Sequence, residues 1–133
     1  MDECIFCKIG AGIAPSTKLY EDSDHLGFLD LYPAAPGHCL LIPKKHYDYI
    51  WDIDNIDKFF FVAQKIAKHF QKVTNQPIVY SLIHGEGVKH AHLHIIPRTD
   101  PKTGVKISEA FKGVKMDDLT AHEVQEKFRI PVL

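Results

Sequence analysis

Residues 90–98 read His-Ala-His-Leu-His-Ile-Ile-Pro-Arg, so three of the nine histidines in 133 residues stand at alternate positions. A helix would put His92 about 200° round the axis from His90. Ile95, Ile96 and Pro97 favour extended backbone instead. On a strand, side chains repeat with period two. His90, His92 and His94 then project from one face, and Ala91, Leu93 and Ile95 occupy the other, which can be buried. A strand over 90–97 is therefore predicted. A neutral imidazole nitrogen is both a nucleophile and a metal ligand near neutral pH. The row could hold a zinc ion, as three ligands of a hydrolytic site, or let one ring attack while its neighbours set tautomer and charge. A plain polar strand face is the remaining reading, and the threefold recurrence beside a glycine-bearing loop argues against it.

Working outward, residues 77–84 (PIVYSLIH) read as a strand, and HGEGVKH after it as a loop with two glycines. Ile56, Phe59, Phe60, Val62, Ala63, Ile66, Ala67, Phe70 and Val73 recur at three- and four-residue spacing, which predicts an amphipathic helix over 56–73. Asn75, Gln76 and Pro77 stop it. Two short strands, 17–21 and 25–31, flank an acidic turn, and a third, 38–42, ends at Pro43. In the tail, ISEAFKGVKM (107–116) and LTAHEVQEKF (119–128) can each hold a helical turn or two. This order implies a single α+β domain over 1–133, an antiparallel sheet of about five strands with one principal covering helix.

Sixteen basic residues against seventeen acidic give a net charge of −1, which argues against bulk electrostatic binding to nucleic acid or an anionic membrane. No apolar run approaches the roughly 20 residues of a membrane span. The opening MDECIFCKIG lacks the order of a signal peptide, so a cytoplasmic protein is expected. Three cysteines do not make a disulfide framework. Cys39, within HCLLIP, reads as a small buried hydrophobe. Cys4 and Cys7 form a C-x-x-C pair that could bind metal, lie buried or act in redox chemistry. The last is disfavoured, because such pairs open a helix after a strand and Cys4 is close to the chain start.

HAHLHII fits the His-x-His-x-His-x-x signature, with apolar x, of the histidine triad (HIT) superfamily of nucleotide hydrolases and transferases. FLDLYPAAPGHCLLIPKKH (28–46) resembles that superfamily's Asp-x-x-Pro-x-x-x-Gly-His-x-Leu-x-Ile-Pro-Lys-x-His segment. With the C-x-x-C opening and the helix, the resemblance covers about 3–98 and is closest to the Hint-like branch of histidine triad nucleotide-binding proteins. The tail beyond about 100 lies outside it. The resemblance implies a HIT-like fold paired as a homodimer, acting on a purine nucleotide or nucleotidyl conjugate such as a nucleoside phosphoramidate. Dinucleoside polyphosphate hydrolysis is the enzymatic alternative, and a non-catalytic nucleotide-binding or scaffolding protein is the other.

Carried over residue by residue, the resemblance makes His92 the nucleophile, attacking the α-phosphorus to give a nucleotidyl-histidine that water hydrolyses. His94 would contact phosphate oxygens or pass a proton to the leaving group, and the His90 carbonyl would orient the His92 ring. Asp30 would accept the ribose hydroxyls, with Phe6, Ile9, Phe28 and Leu31 lining the base site. Cys4, Cys7, His46 and His90 would hold a structural zinc in a closed tetrahedral site. His38 would be structural. One departure stands out. The branch carries an asparagine and a Gly-Gln-Ser-like tripeptide before its triad, whereas this chain has the shorter IHGEGVKH. There Gly85 and Gly87 can still bring backbone N–H groups to a phosphate, Glu86 would repel one, and His84 stands where the asparagine is expected.

Overall fold

Alternation along the strands sorts the apolar residues onto two faces of one sheet. In the computed structural model, which describes residues 3–102, 104 and 114–131, the strands are β1 (Lys18–Glu21), β2 (His25–Leu29), β3 (Cys39–Pro43), β4 (Val79–Leu82) and β5 (Leu93–Pro97). They form an antiparallel sheet in the order β1-β2-β3-β5-β4. Leu29, Cys39, Leu41, Leu93 and Ile95 join the larger core cluster. Their neighbours Leu26, Phe28, Leu40 and Ile42 build a second cluster on the opposite face. Both faces of β3 are covered, which is why its residues are apolar without alternation.

Helix α2 (Ile56–Thr74) closes the first face with Phe59, Val62, Ala63, Ile66 and Phe70. Each large side chain so buried contributes about 1.5–3 kcal/mol. The helix stops at Asn75, whose φ of 53° is the left-handed turn that ends many helices. Two further helices join the principal one, and the second falls on a stretch expected to hold a helical turn or two. Helix α1 (Ile5–Gly10) places Phe6 and Ile9 over the second face. Helix α3 (Asp118–Phe128), capped by the Asp117 side chain on the Thr120 N–H at 2.7 Å, occupies the 119–128 stretch. The stretch from Met116 to Ile130 thus packs on the core. Phe128 lies edge-on to Phe70 with centroids 5.6 Å apart, the Ile130 N–H donates to the Leu19 carbonyl, and the Met116 N–H donates to the Leu31 carbonyl. At Gly37, with φ 89°, an added Cβ would sit within 2.9 Å of Pro97 and Phe128, so only glycine fits beneath this strap. Of the other tail stretch, 107–116, residues 107–113 lie outside those described, and 114–116 are irregular.

Three strands are shorter than the sequence pattern implies. β2 stops at Leu29 rather than 31, because the Asp30 carboxylate accepts the Tyr32 N–H at 2.9 Å and turns the chain. β4 covers 79–82 rather than 77–84; Pro77 cannot donate to a ladder, and its carbonyl accepts from Gln71 instead. β5 starts at Leu93, so His90 and His92 precede it, held by the Ala91 N–H on the Tyr47 carbonyl at 2.7 Å. Among the described residues, no helix is long and apolar enough to cross a membrane.

Candidate active site

Because the strand begins late, the His90–His92 backbone can bend back on itself. The His92 Nδ1–H donates to the carbonyl of His90 at 2.7 Å. That assigns the proton to Nδ1 and leaves the lone pair on Nε2. His92 is only 6% exposed, and burial holds its imidazole below the ordinary pKa, hence neutral at pH 7. The ring has the geometry and charge state of a nucleophile.

His94 lies on the same face with its ring centroid 5.4 Å from that of His92. Its tautomer follows from a chain of contacts that begins 60 residues upstream. The Ala34 N–H donates to Nδ1 of His38 at 2.9 Å, so the His38 proton sits on Nε2 and is donated to Nδ1 of His94, also at 2.9 Å. His94 therefore carries its proton on Nε2. Burial, together with the neighbouring His38, His92 and His84, pushes its pKa down to about 3. It is a neutral hydrogen-bond donor. The Asp30 carboxylate approaches His38 Nε2 at 3.5 Å and His94 Nδ1 at 3.9 Å, which puts it at the edge of the same group.

A second cluster lies one residue away in the chain. Cys4 Sγ is 3.3 Å from His90 Nδ1, Cys7 Sγ is 3.3 Å from His46 Nδ1 and 3.4 Å from His90 Nδ1, and the two Nδ1 atoms are 3.2 Å apart. Tetrahedral zinc with nitrogen and sulfur ligands sets donor separations of about 3.3–3.8 Å. Each imidazole donates its other nitrogen away, His90 Nε2–H to the Pro43 carbonyl at 2.8 Å and His46 Nε2–H to Asp48 at 3.0 Å. Two Nδ1 lone pairs then face each other, an arrangement that a shared cation relieves. Without a cation, burial and the adjacent Cys4 push the Cys7 thiol up to about 11. The four residues can hold a metal ion. The C-x-x-C pair does open a helix after all: Cys4 caps α1 by accepting the Cys7 N–H on its sulfur at 3.3 Å. No strand precedes it within the described residues, and the sulfurs face histidines.

The apolar pocket expected for a base is partly assembled. Phe6 meets Phe28 edge-on at 5.5 Å and His92 at 5.3 Å, and Ile9 packs in the same cluster. Leu31 is half-exposed on the loop after Asp30. Gly85 takes a φ of 73° next to Tyr49, while Gly87 has open space around it.

The HIT domain family model matches residues 11–100. The chain belongs to the HIT domain family. It is 37% identical to the adenosine 5′-monophosphoramidase HNT1 of Saccharomyces cerevisiae over 87% of this chain and 75% of that protein. Among solved structures, a Hit-like protein involved in cell-cycle regulation from Bartonella henselae superposes with a TM-score of 0.81 at 29% identity, covering 97% of this chain and 96% of that one. A zinc-bound histidine triad family protein from Mycobacterium smegmatis superposes with a TM-score of 0.76 at 27% identity, covering 96% and 91%.

One residue of this HIT chain has more to do in the site than sequence reasoning assigned, and a second takes a place that the sequence left open. His38 looked structural, yet its ring touches His94 and fixes that ring's proton. No local signal could have shown this, since 56 residues separate them. His84 sits within the histidine group, its ring parallel to that of His94. Sequence reading set it where the family's asparagine is expected, with a plain strand-end histidine as the alternative.

Proposed function

We propose that this HIT protein is a hydrolase that splits nucleotidyl conjugates at the α-phosphorus, a purine nucleoside 5′-phosphoramidate being the leading substrate. The observation that carries the reading is the 2.7 Å hydrogen bond from His92 Nδ1–H to the His90 carbonyl. It aims an unprotonated Nε2 away from the backbone, next to the apolar Phe6–Phe28 pair. The Nε2 lone pair forms a bond to the α-phosphorus while the bond to the leaving group breaks. Water then displaces His92 from the nucleotidyl-histidine, dividing one hard displacement into two easier ones. The Nε2–H of His94 donates to a phosphoryl oxygen where negative charge gathers. Asp30 accepts the ribose hydroxyls, Phe6, Ile9 and Phe28 pack against the base, and the Gly85 and Gly87 N–H groups meet the outer phosphate or leaving group.

Cys4, Cys7, His46 and His90 hold a structural zinc ion, which supplies a cross-link from α1 to the strand end that carries His92. The thiols must stay reduced for this, which suits the cytoplasm. The protein pairs as a homodimer: β4 is a sheet edge, and a groove of about 430 Å³ between it and α2 is lined by Phe60, Ala63, Ala67, Leu82, Ile83 and Leu93. Light scattering tests the pairing, with twice the 15.1 kDa chain mass expected and the single-chain mass contradicting it.

The activity is tested by AMP release from adenosine 5′-phosphoramidate. Release by the wild type but not by His92→Ala is the expected outcome. AMP binding without release by the wild type would favour a nucleotide-binding protein instead.

A further inference from the structure

β4 and β5 pair so that Leu82 faces His94. Antiparallel partners step in opposite directions, so the same register carried two residues further sets His84 opposite His92. Cross-strand neighbours share a face, and the rings meet accordingly. His84 lies nearly parallel to His94, with centroids 5.4 Å apart and 19° between planes, and edge-on to His92 at 6.0 Å. One ring nitrogen from each of the three lies within 4.8 Å of the other two. His92 and His94 are buried whereas His84 is exposed, so His84 forms the open side of the row.

Its tautomer is also set. The Glu86 N–H donates to His84 Nδ1 at 3.1 Å, which leaves the His84 proton on Nε2. Gly85, with its φ of 73°, permits the reversal that brings the Glu86 N–H back to the ring. Glu86, a like charge to the substrate, thus takes part through its backbone. The outcome is a second Nε2–H donor beside the nucleophile, on a ring stacked against the first.

We propose that His84 is a catalytic residue, its Nε2–H donating a hydrogen bond to a non-bridging oxygen of the phosphoryl group as His92 attacks. This rests on the hydrolase reading above. His84 keeps its proton throughout; the leaving group departs with the electron pair of the broken bond and takes a proton from water. A donor already oriented where charge develops needs no reorganisation during the reaction, and losing one such donor typically costs about 10²–10³-fold in kcat.

The test uses His84→Phe, which keeps a flat ring against His94 without an N–H, and His84→Gln, which restores an N–H donor. Because His84 is exposed, neither threatens the core. With adenosine 5′-phosphoramidate, His84→Phe should lower kcat about 10²-fold with little change in KM, and His84→Gln should recover about tenfold of that loss. A His84→Phe enzyme as fast as wild type would overturn the inference, as would a loss confined to KM or equal losses in both variants. A wild type that releases no AMP would sink the hydrolase reading and this inference together.

Discussion

Two histidine clusters lie side by side, and they differ in which ring nitrogen is tied down. In the Cys4–Cys7–His46–His90 cluster, both imidazoles give Nε2–H to an oxygen, Pro43 for one and Asp48 for the other, and turn Nδ1 toward two sulfurs. In the His84–His92–His94 cluster the pattern inverts: Nδ1 of each is engaged, by the Glu86 N–H, by the His90 carbonyl and by His38. The first arrangement gathers its donor atoms around a point; the second sets three rings in a row. His90 links them, its ring serving one and its carbonyl the other. One residue type thus serves two chemistries because the backbone around it decides which nitrogen is available.

The largest effect expected is on the open cluster. His92→Ala should lower turnover of adenosine 5′-phosphoramidate by about 10⁴-fold or more, since no other group replaces the nucleophile, while leaving the melting temperature within a few degrees. Next comes the closed cluster. Cys4→Ser, or prolonged chelation, should remove metal and about 3 kcal/mol of stability, lowering the melting temperature by roughly 10 °C in a scanning calorimeter. If instead Cys4→Ser abolished turnover with the melting point unchanged, the division of labour would be wrong. Smaller again, Asp30→Asn should raise KM about tenfold with kcat nearly constant, the signature of a ground-state contact to ribose.

A further expected effect is a pH dependence. His94 has an ordinary unfolded pKa of about 6.5 and a folded value pushed down to about 3. Between those values the unfolded chain binds more protons, so stability is full above pH 6.5 and is lost as pH falls toward 3. Urea unfolding of wild type and His94→Asn should show this as a steeper acid decline in the wild type. Superimposable slopes would mean that His94 is not held neutral.

Much of this architecture was legible in the chain because alternation and helical spacing leave direct traces. The α2 residues recur at three- and four-residue intervals, and Ala91, Leu93 and Ile95 enter the larger core as the period-two pattern of 90–95 requires. The triad's identity rested on resemblance, which supplied His46 as a partner for the cysteines from 39 residues away. What stayed hidden was non-local or weakly patterned. Helix α1 is six residues long and capped by a cysteine, a residue outside the usual capping set. Helix α3 was read as a helical turn or two at 119–128, and its full length was hidden because it buries only Ala121 and Phe128 of its eleven residues. Leu31, which the resemblance assigns to the base site, is half-exposed on the loop that the Asx turn at Asp30 begins. The ring contacts of His38 and His84 with His94 arise from sheet register, which no short motif encodes.

The most direct test of the inverted pattern is intact-protein mass spectrometry of samples quenched within seconds of mixing with adenosine 5′-phosphoramidate. A transient adduct of one AMP on the wild type, absent from His92→Ala and present on Cys4→Ser, is the expected result. AMP release with no adduct at any time, or an adduct that persists on His92→Ala, would contradict the assignment of His92 Nε2 as the nucleophile.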